Sequence, residues 1–78
     1  MKTIDALKEI AWQVGIEEFI EDENEQELIN RMRGYIKAGH VELGLDPVVI
    51  ECAEDATDEQ ISTAINEYLK EMDEGKWD

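Results

Sequence analysis

The sequence predicts a small all-α domain, a bundle of three main helices plus one or two short helices, with residues 1–78 forming a single domain. Three observations predict it. Apolar residues recur at helical spacing in three separate stretches. Those stretches open on residues that cap helices and close at or near glycine. No stretch alternates long enough to give a strand a partner within the chain. Hydrophobic residues make up 42% of the chain, so it is not a disordered acidic tail despite its charge.

The first helix is expected to be capped by Thr3, with Asp5 in its first turn, where a negative charge complements the helix dipole. Ile4, Leu7, Ile10, Ala11 and Val14 form its apolar stripe, and Gly15 ends it. Ile16, Phe19 and Ile20 then fall on one side of a short turn or helix. Asn24 opens the next helix, and Glu27 three residues on completes a capping-box pattern with Asn in the cap position. Leu28, Ile29, Met32, Tyr35 and Ile36 form its stripe, and Gly39 is expected to end it. Gly34 inside this helix costs about 1 kcal/mol relative to alanine. Close packing against a neighbouring helix is the expected reason for it.

Val41, Leu43 and Leu45 alternate with Glu42 and Gly44, which predicts a short extended piece. Asp46-Pro47 then reads as an N-cap followed by proline at the first helical position. Residues 47–54 are open between helix and strand, because Val48, Val49 and Ile50 also suit a strand. A helix is favoured, since a lone strand would lack a partner. Thr57 and Gln60 fit the capping box fully, and Ile61, Ala64, Ile65, Tyr68, Leu69 and Met72 follow as a sustained stripe. Ile61, Ile65 and Leu69 are expected to pack on Leu28, Met32 and Ile36. Residues 73–78, with Trp77 beyond Gly75, read as a mobile tail.

A core of this size supplies roughly 3–5 kcal/mol without a staple. Cys52 and His40 are the only residues of their kinds. That leaves no intrachain disulfide, and too few ligands for a Cys/His zinc site within one chain. Self-association remains available as a staple. A single cysteine suits a reducing compartment, such as the cytoplasm of a cell. The opening stretch carries acids early and reads as no signal peptide, and no run approaches a membrane span. Twenty-one acids against seven bases give a net charge of −14, which disfavours direct nucleic-acid binding.

No phosphate loop or glycine-rich fingerprint is present, and neither an enzyme nor a cofactor is expected. Asp22, Asn24 and Gln26 alternate as a calcium loop begins, but Glu27 stands where its glycine belongs and Arg33 where its glutamate belongs. "VELGLDP" resembles the helix-start motif of acyl carrier proteins. Those need serine after the aspartate, and Pro47 stands there instead.

The charge is sharply divided. Residues 17–27 carry seven acids and no base, while residues 28–40 carry three bases and no acid. A helix dipole explains part of this, and a Glu27–Arg31 pair is expected to add about 0.2–0.5 kcal/mol. Arg33 and Lys37 are four apart and repel. Either the chain's own acids fold back beside them or those of another chain do. Arg31, Arg33 and Lys37 are therefore the candidate basic side of a protein contact. Glu17, Glu18, Glu21, Asp22, Glu23 and Glu25 are its candidate acidic side. The partner is a second protein or another copy of the chain, not nucleic acid and not a membrane.

The segments "EDENEQELINRMRGYIKAG" and "TDEQISTAINEYLKEM" resemble, in order and pattern, the small head–tail connector (head-completion adaptor) proteins of long-tailed bacteriophages. Asp22, Leu28, Ile29, Ala38, Gly39, Ile61, Ala64, Ile65, Tyr68 and Lys70 carry the likeness, which spans about half the chain. The chain departs from that pattern in its longer opening and in its spacer "HVELGLDPVVIECAEDA". The resemblance implies a helical adaptor in a ring between portal and tail, and thus a place in the virion. The alternative expectation is an acidic inhibitor, or nucleic-acid mimic, that occupies a cationic site on a partner protein.

Overall fold

The computed structural model describes residues 1–75. Its elements are α1 (Thr3–Val14), a 3-10 helix (Ile16–Phe19), α2 (Glu25–Glu42), α3 (Pro47–Ala53) and α4 (Asp58–Asp73), with no strand among the described residues. This is the expected all-α bundle: three long helices and two short ones.

Capping explains most of the boundaries. Asn24 Oδ1 accepts the Glu27 backbone N–H at 2.9 Å, and Thr57 Oγ1 accepts that of Gln60 at 3.1 Å; each box is closed by the return bond from the third residue. Asp46 accepts the Val48 N–H at 2.9 Å with Pro47 just inside, so residues 47–53 form a helix. Gly15 takes a left-handed conformation (φ 68) and ends α1 as expected.

The start of α1 differs from expectation. Lys2 holds the extended cap position without a side-chain bond, and Thr3 is already helical, because the Ala6 N–H bonds the Lys2 carbonyl at 3.0 Å. Two further expectations are corrected around Gly39. It does break α2 (φ 34, ψ −128), but the chain resumes a helical turn through Glu42, closed by the Leu43 N–H on the Gly39 carbonyl at 3.0 Å. The alternation of Val41, Leu43 and Leu45 is therefore not extended backbone, and of the three only Leu45 is buried. The close approach expected at Gly34 occurs at Gly39 instead. A Cβ on Gly39 would lie 3.3 Å from the Ile50 side chain, whereas one on Gly34 meets nothing within 4 Å.

One core runs through the molecule. Ala6, Leu7, Ile10 and Ala11 on α1 are completely buried, together with Ile16, Met32, Ile61, Ala64 and Tyr68. The helix α1 contacts all three others, and α4 lies mainly on α1 with a smaller contact to α2. The expected contact of the α4 stripe with α2 is present, with Leu28, Ile65 and Leu69 around one small cleft, but α1 occupies more of that face. Leu69 and Met72 are only partly buried at its margin. Cys52 is also partly buried against the core. The helix α4 runs to Asp73, and residues 76–78 of the expected tail, Trp77 included, lie outside the described residues.

Candidate functional site

The divided charges of residues 17–40 are placed by three elements: the 3-10 helix, the loop after it, and α2. Arg31 and Arg33 are two positions apart, which on an α-helix sends them to nearly opposite sides. Arg31 reaches back to Glu23, with Nε at 2.9 and 3.0 Å from the two carboxylate oxygens and a further short contact from Nη2. Its guanidinium also lies over the Phe19 ring, 3.8 Å from the centroid. The hydrogen bonds from Arg31 hold the Glu23 carboxyl below its usual range, and the same carboxylate raises the Arg31 value. The expected Glu27–Arg31 pair is absent, because Glu27 bonds the Asn24 backbone and Glu23 holds the arginine.

Arg33 projects towards α4, where its Nε donates to Asp58 at 2.8 Å. Lys37 lies one turn further, in a cleft with Arg33, Ile36 and Glu54. The chain's own acids therefore stand beside the Arg33–Lys37 pair. The three bases do not form one face: Arg31 locks the 3-10 segment onto α2, and Arg33 links α2 to the start of α4. Among the described residues Lys37 makes no ion pair.

Three of the candidate acids are likewise engaged within the chain. Glu17 accepts the Tyr68 hydroxyl at 2.7 Å, Glu23 holds Arg31, and Glu25 accepts the Ser62 hydroxyl. Burial, and secondarily the bond to Glu17, pushes the Tyr68 phenol well above its ordinary value. Glu18, Glu21 and Asp22 are exposed. Beside Glu25, the N-terminal turns of α2 and α4 flank a cleft lined by Asn24, Asp58, Glu59 and Ser62. Among the described residues no three His, Cys, Asp or Glu side chains gather as a metal cage. No described helix is long and apolar enough to cross a membrane.

Two surface features escaped the sequence reading. At the α2–α3 corner Val41 is 82%, Leu43 43% and Val48 59% exposed, while Leu45, Val49 and Ile50 around them are buried. Along the outer side of α2 runs a shallow groove that includes Gly34, Ala38 and Leu43. The mid-helix glycine was the available signal for it. Comparison of the chain with family models, curated proteins and solved structures found no match.

Proposed function

We propose that this chain is a non-enzymatic contact module, a structural or assembly protein of a phage or prophage of the head–tail connector adaptor kind, that acts by protein–protein contacts. The observation that carries the reading is the α2–α3 corner, where three branched apolar side chains within eight residues are left in water. Scattered exposed apolar residues need no explanation, but a group at one corner is what a protein contact covers. The phage assignment rests on the resemblance of the α2 and α4 segments. Seven of the ten positions that carry it, among them Leu28, Gly39, Ile61 and Tyr68, are buried. The shared pattern is therefore mainly that of the core-facing positions of two helices.

A second reading, the acidic mimic, is supported by the net charge of −14 and by the acid-lined cleft at the starts of α2 and α4. Light scattering on the chain mixed with purified proteins encoded beside it separates the two. A defined complex with a portal or tail component is expected, and it is expected to be lost in a Val41→Asp, Val48→Asp variant. Both positions are exposed, so the variant stays folded. A complex formed only with a nucleic-acid-binding protein, competed by DNA and dissolved as salt rises past the ~10 Å screening length of about 0.1 M, replaces this reading with the mimic.

A further inference from the structure

Gly34 stands in the middle of the longest helix, and its φ is not positive, unlike that of the four other glycines. Its conformation does not require glycine. Packing within the chain does not require it either, since an added Cβ would meet nothing within 4 Å. Glycine at such a place weakens a helix relative to alanine, and nothing inside the molecule offsets the loss. A bare stretch of helix backbone does allow another chain to come close. Ala38 continues the groove by one turn, and Leu43, 43% exposed, closes one end. Glu27 and Glu42 stand along it, and neither makes an ion pair among the described residues.

We infer that this groove seats a helix of another protein, one that presents apolar side chains flanked by lysine or arginine. The inference rests on the contact-module reading and supplies the partner's chemistry. Charge selects the occupant. A second copy brings its own net charge of −14 and the same glutamates to the contact. A basic helix places cations beside Glu27 and Glu42, and complementary charge both speeds the encounter and fixes its register. The only base in the groove is Arg31, whose guanidinium is already held by Glu23 and Phe19.

The test is a titration of the ¹⁵N-labelled full chain with a synthetic amphipathic peptide of leucine, alanine and lysine. The peptide has about 18 residues, a length that lies along α2. A counterpart with glutamate for lysine is the control. Amide shifts are expected to concentrate between residues 27 and 43 with the lysine peptide and to be absent with the control. Gly34→Leu fills the groove, and it is expected to raise Kd roughly tenfold or more, as an introduced clash does. Glu42→Lys is expected to raise it less. An unfolding midpoint for Gly34→Leu at or above wild type shows that the loss is not unfolding. Absent binding, or binding that survives Gly34→Leu, overturns the inference. So does the same set of shifts appearing with protein concentration alone, which makes a second copy the occupant. A map on another face overturns the groove but leaves the contact-module reading intact; that reading falls if the scattering experiment finds no complex, or one only with a nucleic-acid-binding protein.

Discussion

The helices α1 and α2 are both amphipathic, yet the molecule uses them differently. Each turn of α1 has a partner: Ala6, Leu7, Ile10 and Ala11 are sealed, and Lys8 on its flank reaches Glu71 of α4 at 3.0 Å. The fold of this chain explains the inner face of α1, while Trp12 on its other side stays 48% exposed. In α2 the inner face is equally well explained by Leu28, Ile29, Met32 and Ile36, which are buried. Its outer face, with Gly34 bare and Leu43 just past its end 43% exposed, is not. That outer face is the one to which the proposed contact is assigned.

The largest break in the comparison is expected on α1. Leu7→Ala removes a completely buried side chain from the helix that touches all the others. It should cost about 2–5 kcal/mol, enough to leave much of so small a domain unfolded at room temperature. A urea titration showing a midpoint near wild type would remove α1 from the centre of the core.

A smaller effect is expected where α4 meets the 3-10 helix. Tyr68→Phe deletes the hydroxyl that donates to Glu17 and should cost about 0.5–1.5 kcal/mol at neutral pH. The pH dependence sharpens the point. The folded protein raises the Tyr68 phenol above its ordinary value of 10.0, so the neutral form is favoured in the native state. That contribution is complete below pH 10.0 and is lost as pH rises through the folded value. Wild type should therefore lose stability in alkali faster than Tyr68→Phe does. Parallel alkaline profiles for the two proteins would count against the buried phenol.

The smallest effect has the opposite sign. Gly34→Ala adds a methyl group into open space and should stabilise the chain by about 0.5–1 kcal/mol. Destabilisation there would mean that α2 needs its glycine for its own fold, and the contrast between the two helices would fail.

Much of this fold was decided by short stretches of sequence. The boxes at Asn24–Glu27 and Thr57–Gln60, the Asp46-Pro47 start and the Gly15 stop each lie within one turn of backbone, so the residues that determine them are neighbours in the chain. Helical periodicity is equally local, and it identified the buried face of every long helix. What only the tertiary structure decided is which side chains separated in sequence come to share a space. The sequence left open whether Arg33 meets its own acids or those of another chain, and the answer, Asp58, stands 25 positions away. Tyr68 and Glu17 are 51 apart, and the choice of Glu23 over Glu27 by Arg31 depends on how the 3-10 segment folds back over α2. Gly34 shows the same limit from the other side. Its place in a helix was plain, but whether its missing side chain faced a neighbour or water depended on how the helices pack. That packing set Gly39 against Ile50 of α3 and left Gly34 bare.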